Sequence, residues 1–431
     1  MRLPGRMAAA IEVLADVEAR KRPASEALKA WALDHRFAGA GDRAAIGNLV
    51  YDALRKRARH AWRMGEDTPR ALVLSVVVTE WNQDVKTLNQ DFSADRFAPE
   101  SISEAEVLRL SSDSVFSDAP DWVKADVPEW LAPSLEENFG ERWIEEGQGM
   151  STRPPLDMRV NRLKSDRARV KKSLARFEPA ETRIAPDGLR IPSGSTDART
   201  ANVTADEGYQ KGWFEVQDEG SQIVSLLASA KPGEQVLDLC AGAGGKTLAL
   251  ASAMGNTGQI FAYDSERTRL APIHERLKRN GVRNAQVRNP DAGALDDLEG
   301  RIDRVLVDAP CTGTGTWRRR PDTKWKLSPA QLETRLTEQV AVLDDAAGFL
   351  KPGGELVYVT CSILPQENDD QVAAFLERHP DFALVSLPER WNALFPGAAK
   401  PVSRNGMTVT LTPASTDTDG FFCAVLTKRS G

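Results

Sequence analysis

The chain of 431 residues carries a formal net charge of −6, is 41% hydrophobic and 27% charged, and contains four cysteines and four histidines. That length exceeds one compact core and predicts two or three domains. No apolar run reaches membrane-spanning length, the charge-interrupted N-terminus lacks a signal-peptide core, and the scattered cysteines and histidines exclude a zinc site, another metal centre or a disulfide framework, so a reducing cytoplasm is expected.

Charge is spread unevenly along the chain. Residues 1–63 hold 13 Lys/Arg against 7 Asp/Glu, residues 80–146 hold 5 against 17, and residues 153–172 hold 8 against 2. Such a pattern can place phosphate-binding faces inside an acidic protein, and solvated helix faces would produce the same pattern.

Residues 4–63 read as helical. Met7, Ile11, Leu14 and Val17 share one face, and Ile46, Leu49, Val50 and Leu54 repeat the spacing after AGAGD. The second run ends in RKRARHAWR, Arg55 to Arg63, which suits phosphate contacts with base stacking on His60 or Trp62, or equally an exposed helix end favoured by the macrodipole. Residues 81–120 are polar and acidic without clear periodicity and read as a linker or an irregular helical region. Residues 121–205 contain helical spacing, the extended PPLDMRVNRLK, the basic SDRARVKKSLARF and a DG turn in RIAPDGLRIP, which together predict a small α/β module.

From Val216 the pattern becomes strand–loop–helix. QVLDLC, QIFAYD, RVLVDAP and GELVYVTC are short apolar runs followed by loops, the signature of a parallel, doubly wound sheet that binds ligands at the carboxyl ends of its strands. The first run leads into LDLCAGAGGKT, Leu237 to Thr247. Here Gly242, Gly244 and Gly245 permit a tight turn and close approach to a ligand. A phosphate-binding P-loop would need glycine at Cys240, and a dinucleotide loop would need GxGxxG where GAGGKT stands. A third reading is S-adenosylmethionine. Asp238 suits its charged amino-acid end, Asp264 closes the next strand where a carboxylate grips a ribose diol, and Asp291 follows a third strand where it can read the adenine amine.

Two thiols end strands of this sheet. Asp308 and Pro310 precede Cys311 in VLVDAPCTGTGTWRRRPDTKWK, and Cys361 ends VYVTC. A thiol and a carboxylate beside a methyl donor suit methylation of cytosine at carbon 5. A thiolate adds to carbon 6, the carboxylate stabilises the adduct near N3 and N4, and a base later removes the C5 proton. Arg318, Arg319, Arg320, Lys324 and Lys326 are candidates for phosphates, with Trp317 and Trp325 either stacking on bases or filling the core.

DAPCTGTGTWRRRPDTKWK, LDLCAGAGGKT, FEVQDEGSQ and VTCSILPQEN together resemble the Sun/Fmu (Nol/Nop/Sun-type) family of RNA cytosine-C5 methyltransferases over about residues 150–431. The resemblance implies that Cys361 is the nucleophile and that Cys311 assists product release, with Asp308 as the catalytic carboxylate. It implies a cofactor site lined by Cys240, Ala241, Gly242, Ala243, Gly244, Gly245, Lys246, Asp264, Asp291 and Asp308, with Ala243 where the family usually has proline. GDRAAIGNLVYDALRKR, Gly41 to Arg57, resembles the helical NusB-like RNA-binding domain at the front of the bacterial 16S rRNA members. The expected architecture is therefore α/β: an all-α NusB-like domain over residues 1–120, a small α+β, RRM-like module over 121–205, and a Rossmann-like S-adenosylmethionine-dependent methyltransferase domain over 206–431. The expected partner is RNA, most readily 16S rRNA or a small-subunit assembly intermediate, with a monomeric chain and no membrane or metal. A tRNA-directed enzyme of the same family and a non-catalytic ribosome-assembly factor are the alternatives.

Overall fold

The spacing of Met7, Leu14 and Val17 winds residues into α1 (Leu3–Arg20), and the same physics gives α2 (Ala24–Asp34), α3 (Ala40–Arg55) and α4 (Arg57–Met64). The computed structural model describes residues 1–112 and 116–430. Helix α5 (Pro69–Thr79) is apolar almost all round and lies buried among α1, α3 and α4, as such a helix must.

Residues 81–112 are not a linker. Helices α6 (Val85–Ala94) and α7 (Glu104–Leu110) carry Leu88, Phe92 and Leu110 into the same core, with Ile102 between them. Each helix offers only one or two core residues, too few to show a periodicity in the sequence. Their starts are instead fixed by caps: Asp84 accepts from the Thr87 N–H at 2.9 Å, and Ser103 and Glu106 form a capping box. The part of this region at residues 113–115 lies outside the described residues.

The small module contains an antiparallel sheet of β1 (Leu156–Val160), β2 (Ala180–Glu181), β3 (Gly188–Ile191) and β4 (Phe214–Val216), in the order β2-β3-β1-β4. The expected boundary at residue 205 thus falls short. Val160 pairs with Phe214, and the fully buried Phe214 ring completes the module's core with Met158 and Leu189. The helical residues 121–149 pack against the following domain as well. Val127, Leu135 and Trp143 pack on Trp317, Ile363 and Leu364 of the following domain, bracing the loops behind its thiols.

The large sheet contains β5 (Gln235–Asp238), β6 (Gln259–Tyr263), β7 (Ala285–Arg288), β8 (Ile302–Asp308), β9 (Leu350–Thr360), β10 (Phe382–Leu384) and β12 (Phe421–Lys428), with β11 (Val409–Leu411) pairing β12. Its order is β10-β12-β9-β8-β5-β6-β7. Strands β5 to β9 run parallel, and β12 pairs antiparallel with β9 and β10. Val236, Val357 and Val359 face one core and Val305, Leu356 and Tyr358 the other, so both faces are covered and the strands read as continuous apolar runs. The strand order reverses at β5, which lies between β6 and β8. That switch point brings Asp238, Asp264, Asp308 and Cys361 to one edge of the sheet. No helix among the described residues is long and apolar enough to cross a membrane.

Candidate active site

The glycine loop turns between β5 and the helix Gly245–Ala253. The Ala241 N–H donates to the Tyr263 carbonyl at 2.8 Å, and Gly242 and Gly244 take positive φ of 50° and 83°. A Cβ on Gly244 would stand 2.5 Å from the Ile273 side chain, so this position needs glycine for space as well as for conformation. Arg276 steadies the loop by donating to the Ala243 carbonyl at 2.8 Å. The Cys240 thiol is pushed well above its usual range by burial and by the neighbouring Asp308, Asp238 and Asp264, which makes it a neutral wall rather than a nucleophile.

Two buried carboxylates bond to this loop and the helix it opens. Asp264 is buried and accepts from the Gly242 N–H and the Glu266 N–H, each at 2.9 Å. Asp238 is fully buried; one oxygen accepts from the Thr247 hydroxyl at 2.6 Å, and the other, Oδ1, has no partner. Burial, reinforced by Asp308, lifts the Asp238 carboxyl to about 7. Asp291 follows β7 as expected, but its side chain is exposed and pairs with Arg267 at 2.9 Å.

Lys246 projects from the first turn of the helix into the site. Its ammonium lies 2.6 Å from Asp308 and 5.4 Å from the centre of the Phe421 ring. Burial pulls its pKa down, yet Asp308 and the Cys361 sulfur outweigh that and hold it above its usual range. Asp308 remains one-third exposed, so it faces the site as well as the lysine.

The two thiols meet at the ends of β8 and β9. Cys311 Sγ and Cys361 Sγ are 3.4 Å apart, in hydrogen-bonding contact. The hydrogen bond to Cys361, with burial, raises the Cys311 thiol well above its usual range and keeps it protonated. Glu367 fixes this approach. Its buried carboxylate accepts from the Thr312 N–H at 2.8 Å, the Thr312 hydroxyl at 2.5 Å, the Gln339 amide at 3.0 Å and the Ser362 hydroxyl, so it joins the residues that follow the two cysteines. Each such donor left unpaired in a buried site costs about 1–3 kcal/mol. Asn368 adds a bond to the Ser362 carbonyl at 3.0 Å and accepts from the Thr360 hydroxyl at 2.6 Å. Sequence reading passed over these positioning roles, although Glu367 and Asn368 lie in the same short motif as Cys361.

Most of the cationic cluster after Cys311 is turned inward. Trp317 and Lys324 are fully buried, and Arg318 is nearly so. Arg318 and Arg319 pair with Asp218 and Asp419. Lys324 donates to the Arg55 and Asp126 carbonyls at 2.8 and 2.7 Å and to the Ser151 hydroxyl at 2.9 Å. The Trp325 indole donates to the Leu54 carbonyl at 2.6 Å, and Lys326 to the Arg22 carbonyl at 2.7 Å. These side chains join the helical domain to the catalytic loops; Arg320 is exposed. In the basic run at Arg55–Arg63, His60 is likewise internal. It bonds Ser75 at 2.8 Å, and burial depresses its pKa to about 3.

The residues present fit S-adenosylmethionine. The glycine loop leaves room for backbone approach, the unpartnered Asp238 Oδ1 awaits a donor such as the cofactor's ammonium, and Asp264 stands at the end of the next strand for a ribose diol. Ligand affinity should therefore depend on pH. With a carboxyl at about 7, Asp238 is mostly protonated at pH 6 and mostly ionised at pH 8, so an ammonium-bearing ligand gains affinity as pH rises. Calorimetry with S-adenosylhomocysteine should show roughly tenfold tighter binding at pH 8 than at pH 6. Asp238→Asn should flatten that profile, and a flat profile in the unaltered chain would contradict the assignment.

The chain is similar to known methyltransferases. The family model described as 16S rRNA methyltransferase RsmB/F matches residues 225–427, and the RsmF/B-like ferredoxin-like domain model matches residues 127–196. The probable ribosomal RNA small subunit methyltransferase B of Synechocystis sp. is 36% identical over 315 residues, covering 72% of this chain and 66% of that protein. Ribosomal RNA small subunit methyltransferase B of Klebsiella pneumoniae is 37% identical over 303 residues, covering 69% and 65%. The matches thus span about two thirds of those relatives' length. The crystal structure of PH0851 superposes with a TM-score of 0.73 at 26% identity over 99% of both chains. A methyltransferase homolog from Pyrococcus horikoshii gives 0.59 at 27% identity, over 72% of this chain and 97% of that one. The chain belongs to the RsmB/F family of methyltransferases.

Proposed function

We propose that the chain is an S-adenosylmethionine-dependent RNA methyltransferase that makes 5-methylcytosine in 16S rRNA. The observation that carries this reading is the pair of thiols 3.4 Å apart beside the Lys246–Asp308 pair. Carbon 5 of cytosine is a weak nucleophile and needs activation by covalent addition at carbon 6. Cys361 forms that bond as a thiolate. The Lys246 ammonium and the Cys311 S–H lie beside its sulfur, and Asp308 meets the N3–N4 edge of the base. S-adenosylmethionine supplies an electrophilic methyl group when bound. After transfer, the C5 proton goes to a base, the electrons of the C5–H bond restore the C5–C6 double bond, and the C6–S pair returns to Cys361. Cys311 stabilises the departing thiolate through its S–H.

Getting cytosine into this site means unstacking it, at a cost of a few kcal/mol, which contacts outside the pocket must offset. The helical domain, with its NusB-like stretch at Gly41 to Arg57, supports an RNA partner, and the names of the relatives support the small ribosomal subunit as its source. The work of such an enzyme lies in the cytoplasm. Bisulfite sequencing of 16S rRNA, 23S rRNA and bulk tRNA, from cells with and without the gene, tests the reading. Loss of one protected cytosine in 16S rRNA is expected. Loss only in tRNA or 23S rRNA would overturn the target, and no loss anywhere would overturn the reaction.

A further inference from the structure

Next to the helical domain lies a cleft of about 1020 Å³ that the chemistry above does not use. It is bounded by α3, by the small module and by the loop that follows Cys311. Six arginines line it, Arg43, Arg55, Arg153, Arg176, Arg199 and Arg319, and its described lining residues include no Asp or Glu. That concentration of one sign stands out in a chain of net charge −6.

The arginines fall into two sets. Arg55 and Arg153 pair with Asp52, and Arg319 pairs with Asp218 and Asp419, so these three build the walls. Arg43 and Arg199 have no carboxylate partner among the described residues, and Arg176 is 4.0 Å from Asp206. All three of the second set are exposed. The Arg176 guanidinium lies 4.6 Å from the centre of the Phe177 ring, which also lines the cleft with Tyr51.

The cleft wall connects to the thiols. Arg319 pairs with Asp419; the Gly420 N–H donates to the Gly315 carbonyl at 2.7 Å, and the Gly315 N–H donates to the Cys361 carbonyl at 2.9 Å. At Gly315 a Cβ would stand 2.1 Å from the Gly420 carbonyl oxygen, so the two backbones touch directly. A ligand held by Arg319's surroundings therefore rests one loop from Cys361.

We propose that this cleft holds the single-stranded RNA backbone flanking the target cytosine, an assignment that rests on the RNA methyltransferase reading. Exposed guanidinium groups on separate walls suit successive phosphates, and Phe177 and Tyr51 offer rings on which bases stack. The volume of about 1020 Å³ stands at the top of the ~300–1,000 Å³ range of small-molecule sites and leaves room for a nucleotide segment.

The test uses the full chain, a labelled single-stranded oligoribonucleotide of about 20 nucleotides and, as a competitor, polyglutamate. A triple variant, Arg43→Ala, Arg176→Ala and Arg199→Ala, is measured with S-adenosylhomocysteine binding as the folding control. RNA affinity should fall by roughly 10- to 100-fold. The slope of log affinity against log salt should become shallower by about 2, at ~0.7 for each phosphate no longer neutralised. The matching triple Arg→Lys variant should recover most of the salt slope. If the parent chain methylates RNA and the Ala variant binds it unchanged, the cleft assignment falls and the reaction stands. If the parent binds RNA through these arginines yet methylates none, the reaction falls and the cleft stands. If polyglutamate binds the cleft as tightly as RNA, an acidic protein partner replaces RNA there.

Discussion

Cys361→Ala should bind S-adenosylhomocysteine as the unaltered chain does and transfer no methyl groups, its rate falling by roughly a thousandfold or more. The reason is chemical. Without a bond to carbon 6 there is no enamine, and carbon 5 cannot attack a methyl group however well the base is placed. The fold should survive, because the side chain is only half-buried and its loop is held by other groups: Gly315 bonds the Cys361 carbonyl, and Glu367 and Asn368 hold Ser362. Calorimetry and a tritiated-methyl transfer assay on 16S rRNA separate the two effects. Turnover within tenfold of the parent would rule out covalent addition by Cys361.

Cys311→Ala should do the opposite of a simple loss. It should form the C6 bond, accept the methyl group and then stall, so that a covalent protein–RNA species accumulates. The Sγ–Sγ contact of 3.4 Å and the protonated state of Cys311 place an S–H donor against the sulfur that must leave with its electron pair. Removing that donor withdraws a charge-assisted hydrogen bond, worth about 1.5–3 kcal/mol and hence a slowing of release by roughly 10- to 100-fold. On a denaturing gel the stalled species should run as a shifted band that nuclease treatment collapses. A single unshifted band with normal turnover would remove Cys311 from product release.

Much of this site was legible in the sequence because parallel sheets put chemistry at strand ends. LDLCAGAGGKT, VLVDAP and VYVTC each end an apolar run with the residues that the fold gathers at its switch point, and Asp264 closes QIFAYD. What stayed hidden depends on partners far along the chain. Arg318 and Arg319 look like phosphate ligands until Asp218 and Asp419, about 100 residues away on either side, come to neutralise them. Lys324 resembles a surface cation, yet its three acceptors come from Arg55, Asp126 and Ser151. Helices α6 and α7 read only as a linker or an irregular helical region because each contributes so little apolar surface, and β4 was hidden because three residues carry almost no pattern. The exposed arginines of the cleft were hidden for the same reason: Arg43, Arg176 and Arg199 are ordinary surface residues until the fold brings α3 against the small module.

The proposed mechanism stands on a division of labour in which Cys361 would carry the covalent bond and Cys311 would end it. Mass spectrometry of the Cys311→Ala protein decides this, after incubation with substrate RNA and S-adenosylmethionine and digestion with protease and nuclease. One modified peptide is expected, containing Cys361 and carrying a methylated cytidine nucleotide. A nucleotide on any other residue, or no adduct from a preparation whose parent protein is active, would contradict it.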